Sequence, residues 1–187
     1  MPARNTFRKG DKSFETFERQ LALYRAKVYE RYMPLNELGV DKSVANLGEF
    51  STNESSPILV IEDNADDWFL MQWALRQTFP TTETVWLADA AQVSTYLENC
   101  LSSWQALPKV ILLDLYLPSI SKGLRILQSL KAHQRLREIP VIAVSRSADV
   151  RDMANAFKYA SSMYLIKPPT YGEWVKRMGE IRKLVHH

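Results

Sequence analysis

Five short apolar runs, each followed by a segment with helical periodicity, constrain this chain more than any other feature. The runs cover residues 57–61, 84–87, 110–113, 140–144 and 163–166, and the helical segments cover 66–79, 90–101, 124–133, 149–160 and 171–185. Near-continuous apolar strands alternating with helices predict a parallel sheet covered on both faces, because each crossover helix packs back onto the sheet. The expected fold class is therefore α/β, a doubly wound five-stranded parallel sheet. Such a sheet gathers its chemistry at the carboxyl ends of its strands.

The alternation begins only near residue 56. Ahead of it, Phe14, Phe17, Leu21, Tyr24 and Val28 recur at spacings of three and four, which predicts one amphipathic helix over about 12–33, closed by Pro34. A polar linker follows, up to residue 56. The expected organisation is an N-terminal helical extension over 1–56 and a main domain over 57–187. Docking of the helix stripe on that domain is preferred to self-association, since two heptads are too few to stand alone.

Composition narrows the class. With 187 residues and 46% hydrophobic residues, the chain can bury an ordinary core. Lys+Arg 24 minus Asp+Glu 21 gives +3, spread along the chain without the basic blocks of a nucleic-acid binder. Cys100 is the only cysteine, too few for an intrachain disulfide or a thiolate metal site. Neither a secretory leader nor a membrane-length apolar run is present, so a cytoplasmic protein with no nucleic-acid or membrane partner is expected.

The residues at the ends of the runs are Glu62 and Asp63 after the first, Asp114 after the third, Ser145 after the fourth and Lys167 after the fifth. Three carboxylates, a hydroxyl and an ammonium would meet at one sheet edge. Carboxylates at 4 Å repel by up to about 4 kcal/mol per pair at an effective dielectric near 20, so the cluster calls for a cation or a shifted pKa. Mg²⁺ fits, because it binds through one or two carboxylates and leaves positions for phosphate oxygens. A carboxylate is also a nucleophile toward phosphorus. Asp66 and Asp67 read as acids favoured by a helix N-terminus.

The sequences Ile-Leu-Val-Ile-Glu62-Asp63-Asn64, Leu-Leu-Asp114-Leu-Tyr-Leu-Pro118 with Gly123, Val-Ser145 and Tyr164-Leu-Ile-Lys167-Pro168 resemble the motif set of receiver domains of two-component response regulators. The resemblance spans residues 57–187 and is greatest to bacterial stand-alone receivers of the phytochrome-partner type. It implies a flavodoxin-like receiver fold with Asp114 as phosphoacceptor, taking a phosphoryl group from a sensor histidine kinase or phosphotransfer protein. It further implies that Glu62, Asp63, Asp114 and the Tyr116 carbonyl hold Mg²⁺, that Lys167 pairs with a phosphoryl oxygen, and that Ser145 and Tyr164 form the switch. Gly123 is read either as part of that motif set or as a simple helix-start turn.

Arg146 stands where the family usually has a small residue, a guanidinium expected either to brace the phosphate or to block small donors and the attacking water, and Ala160-Ser161-Ser162-Met163 stands where it usually has a Gly-Ala pair. The last predicted helix runs nearly to residue 187, so output is expected through a downstream protein partner, with no DNA-binding module. Exposed parts of 149–160 and of the last helix are the expected contact surface. Trp174 and Met178 either join that surface, in a partner or a homodimer, or face the domain's own sheet. Two other readings stay open. One is a phosphorylation-independent adaptor or dimerisation module of the same fold. The other, a phosphatase of the haloacid dehalogenase kind, is disfavoured because Tyr116 stands where that family needs a second Asp.

Overall fold

A computed structural model describes residues 56–103 and 106–185. The helix expected over 12–33 lies outside them. Five strands, β1 (Ile58–Ile61), β2 (Thr84–Leu87), β3 (Val110–Asp114), β4 (Val141–Ser145) and β5 (Met163–Ile166), alternate with five helices. These are α1 (Ala65–Thr78), α2 (Ala90–Ser102), α3 (Ile120–Ala132), α4 (Val150–Lys158) and α5 (Tyr171–Val185). The strands pair in parallel in the order β2-β1-β3-β4-β5. The expected α/β receiver fold is the fold observed.

Strand composition follows position in the sheet. All residues of β1, β3 and β4 are buried, whereas the edge strands β2 and β5 are mostly half-buried. Central strands covered on both faces take continuous Ile, Val and Leu runs; edge strands tolerate Thr84 and Tyr164. Leu59, Ile61, Ile111, Leu113, Val141 and Ala143 pack with Val93 and Leu97 of α2, Leu127 and Leu130 of α3 and Ala156 of α4. The alternate strand residues point to the opposite face. Helices α1 and α5 pack on each other, with the Trp73 and Tyr171 ring centroids 3.5 Å apart. Trp174 and Met178 of α5 are buried within the chain and are not free for a partner.

Local chemistry sets the helix ends. Asn64 caps α1, its Oδ1 accepting from the Asp66 and Asp67 N–H groups at 2.9 and 3.0 Å. Asp89 and Asp149 cap α2 and α4 in the same way. Helix α3 begins at Ile120, four residues before the expected start, because its first turn carries a single apolar residue, Ile120, and ends in the helix-disfavouring Gly123. Gly123 lies in that turn and is not a simple turn residue. A Cβ there would collide with the backbone carbonyl of Leu115, so glycine is what lets α3 approach the end of β3. Beyond α4, Ala160 takes a left-handed φ of 60°, and the Ser161 N–H closes the helix onto the Ala156 carbonyl at 3.0 Å.

Candidate functional site

The parallel register carries the ends of β1, β3, β4 and β5 to one edge of the sheet. Asp114 and Ser145 are the last residues of their strands, while Glu62 and Lys167 are the first residues beyond theirs. All four converge there, with Asp63 beside them. The Lys167 backbone N–H donates to the Ser145 carbonyl at 2.7 Å, holding β5 in register as the chain leaves the sheet.

The Lys167 ammonium is the hub. It donates to Glu62 Oε2 at 2.8 Å, Asp114 Oδ2 at 2.7 Å and Asp67 Oδ2 at 2.9 Å. Its side chain is 6% exposed. Burial alone would lower its pKa, but the Glu62 charge and the hydrogen bond to Asp114 outweigh that and hold it above the ordinary lysine range. Glu62 is fully buried, and burial pushes its carboxyl up to about 8 against the opposing pull of Lys167. Two backbone contacts position it. Its Oε1 accepts from the Asn64 N–H at 3.1 Å, and its carbonyl accepts from Trp86 Nε1 at 2.7 Å. Trp86 stacks on Trp68 of α1, with ring centroids 5.4 Å apart.

The carboxylates of Glu62, Asp63 and Asp114 each offer an oxygen within 4.8 Å of the others, and Asp63 is exposed to the cleft. An all-oxygen set with one open side suits a hard divalent cation that keeps several waters. The Asp114 carboxylate is fixed on both oxygens, Oδ1 accepting from the Tyr116 N–H at 2.8 Å and Oδ2 from Lys167. A carboxylate held in this way at a cleft can serve as a nucleophile.

Around this centre lies a cleft of 470 Å³ lined by Asp63, Asp67, Asp114, Tyr116, Arg146 and Lys167, among others. Ser145 is buried, and its Oγ accepts from the Ser147 N–H at 3.0 Å. Tyr164, half-buried, donates its hydroxyl to the Ser147 carbonyl at 2.9 Å, which ties β5 to the loop after Ser145. Tyr116 reaches outward and donates to Asp152 of α4 at 2.9 Å.

Two contributors, Asp67 and Trp86, lie outside the expected site residues. Asp67 belongs to the first turn of α1, as expected of a helix-start acid, but it also faces the strand ends and binds Lys167. Arg146 Nη2 donates to Asp67 Oδ2 at 2.6 Å. The one signal for Asp67 is its place one helical turn after Asp63, since the start of the first helix borders the strand ends. The anchoring role of Trp86 left no mark in spacing.

The family model for the response regulator receiver domain matches residues 58–178. The probable methanogenesis regulatory protein FilR2 of Methanothrix harundinacea is 32% identical over 126 residues, which are 67% of this chain and 81% of that protein. Among solved structures, the phosphorylated cyanobacterial phytochrome response regulator RcpA is similar at a TM-score of 0.60 and 27% identity, over 69% of this chain and 92% of its own. The Mn²⁺-bound form of response regulator Rcp1 is similar at a TM-score of 0.59 and 26% identity, over 69% and 93%.

Proposed function

The chain belongs to the response regulator receiver domain family, and from that premise we propose that Asp114 accepts a phosphoryl group from a histidine kinase in a Mg²⁺-assisted step. Receiver domains are phosphoacceptor signalling modules that partner histidine kinases. The observation that carries the finer reading is the Lys167 ammonium held within 2.7–2.9 Å of Asp114, Glu62 and Asp67, beside the open Glu62–Asp63–Asp114 carboxylate set.

In this reading an Asp114 oxygen attacks the phosphorus of a phosphohistidine. The new P–O bond forms as the P–N bond breaks, and the imidazole leaves with a proton from solvent. The Tyr116 N–H fixes the carboxylate plane during attack. Lys167 exchanges Asp114 Oδ2 for a phosphoryl oxygen, a short move for a point charge on a flexible stem. Glu62, Asp63, Asp114 and the Tyr116 carbonyl would hold Mg²⁺, and the Mn²⁺-bound form of Rcp1 supports a divalent cation here. Mg²⁺ supplies Lewis-acid neutralisation of the transferring group.

Readout follows from the same charge change. To reach a phosphoryl oxygen, Ser145 Oγ gives up the Ser147 N–H, and Tyr164 loses its acceptor as that loop shifts. The altered loop, with α4 and the exposed side chains Val150, Phe157 and Ile166, presents a changed surface to a downstream protein partner in the cytoplasm. Among the described residues no helix is long and apolar enough to cross a membrane.

The test is intact mass with Mg²⁺ present, after acetyl phosphate and separately after a phosphorylated histidine kinase, for wild type and Asp114→Asn. We expect one phosphoryl group on the wild type and none on the variant. Equal uptake by the variant overturns the assignment of Asp114, and no uptake by wild type from either donor leaves the phosphorylation-independent adaptor in its place.

A further inference from the structure

Arg146 spans the mouth of the cleft and joins two distant parts of the chain. It follows Ser145 at the end of β4, and its partner Asp67 lies 79 residues earlier in the first turn of α1. The Arg146 side chain is 68% exposed and that of Asp67 14%. The Asp67 oxygen that accepts from Arg146 is the same Oδ2 that accepts from Lys167. Asp67 therefore serves two cations, both beside the Asp114 carboxylate.

The charges on either side of phosphoryl transfer make this arrangement two-state. Before transfer, the anions competing for Arg146 are single-charge carboxylates, of which Asp67 is the one it meets. After transfer, a phosphoryl group of about −2 charge with three acceptor oxygens stands on Asp114. A guanidinium fork matches that group better than it matches one carboxylate oxygen already shared with a lysine. Because the Arg146 side chain is mostly in solvent, little packing opposes its turning inward.

Resting on the phosphoacceptor reading above, we infer that Arg146 is a guard with two seats, parked on Asp67 in the resting domain and moved onto the phosphoryl group after transfer. In the second seat it covers phosphorus from the mouth of the cleft and slows hydrolysis. The step it slows is attack of a water oxygen on phosphorus, in which the bond to the Asp114 oxygen breaks. The products are the Asp114 carboxylate, inorganic phosphate and a proton released to solvent. Asp67 is the positioning residue that keeps the guard aside while a donor enters.

The experiment uses the full chain with saturating Mg²⁺. Wild type, Arg146→Ala and Arg146→Lys are phosphorylated, freed of donor and followed by intact mass as the phosphate is lost. Binding of beryllofluoride, a tetrahedral stand-in for the phosphoryl group, is titrated in parallel. We expect decay about tenfold faster and beryllofluoride binding about tenfold weaker in Arg146→Ala, the loss of one charge-assisted contact, with Arg146→Lys in between because a point charge lacks the fork. Thermal midpoints should stay together, which separates a guard from a structural residue. Equal decay and equal beryllofluoride affinity in wild type and Arg146→Ala overturn the guard while leaving the phosphoacceptor reading intact. Failure of the wild type to take up phosphate at all overturns both.

Discussion

Two sets of charged contacts meet at the same cleft, and they differ in almost every physical respect. Inside, Lys167 is tied to Glu62 and Asp114 with side chains 6%, 0% and 7% exposed. Outside, Arg146, its side chain 68% exposed, holds Asp67, and Tyr116, 42% exposed, holds Asp152. The inner set is desolvated, so removing one member strands the rest in low dielectric. The outer contacts exchange readily with water and contribute little to stability. Under the phosphoacceptor reading proposed above, a site that keeps its acceptor geometry and still admits a donor needs both kinds.

The largest effect should come from breaking the inner set. Lys167→Ala should lower unfolding free energy by about 3–5 kcal/mol in metal-free urea titrations, since buried carboxylates lose their cation. Arg146→Ala should cost less than about 1 kcal/mol in the same titration. Equal costs would erase the distinction.

A second effect concerns pH. Glu62 has its carboxyl raised from 4.5 to about 8 in the folded protein, so the folded state holds that proton more tightly than the unfolded chain does. The resulting stability is complete below about pH 4.5 and is lost as pH climbs through 8. Metal-free wild type should therefore lose stability between pH 5 and 8, a loss that Glu62→Gln flattens. Mg²⁺ binding needs the ionised carboxylate, so its apparent affinity should rise over the same range, by up to about tenfold per pH unit where one proton is released. Trp86, bonded to the Glu62 carbonyl, is a built-in fluorescent reporter.

A third effect lies away from the cleft and sets the scale. Ala160 occupies a left-handed turn that glycine adopts without strain, so Ala160→Gly should raise stability by about 1 kcal/mol in thermal melts and leave Mg²⁺ binding unchanged. A change in Mg²⁺ affinity would mean that the turn into β5 is coupled to the site.

The strand-end part of this comparison was the part legible in sequence. Glu62, Asp63, Asp114, Ser145 and Lys167 each close an apolar run, and parallel topology alone brings such residues together. Strands β2 and β5 and helix α5 begin and end where their periodicity predicts. The outer contacts were not legible, because the Arg146–Asp67 pair links residues 79 apart and no local period records it. Asp67 was hidden by a sufficient local explanation, the helix dipole. The sequence leaves the turn role of Gly123 open, whereas its close approach to the Leu115 carbonyl depends on how α3 lies against β3.

The most direct test of the central claim is to locate the phosphoryl group by its chemistry. Wild type phosphorylated by a histidine kinase would be reduced with borohydride, which converts an aspartyl phosphate to homoserine, and then digested and sequenced by mass spectrometry. Homoserine at position 114 and at no other acidic residue is the predicted result. Homoserine at Asp63 or Asp67 with Asp114 unchanged would contradict the account.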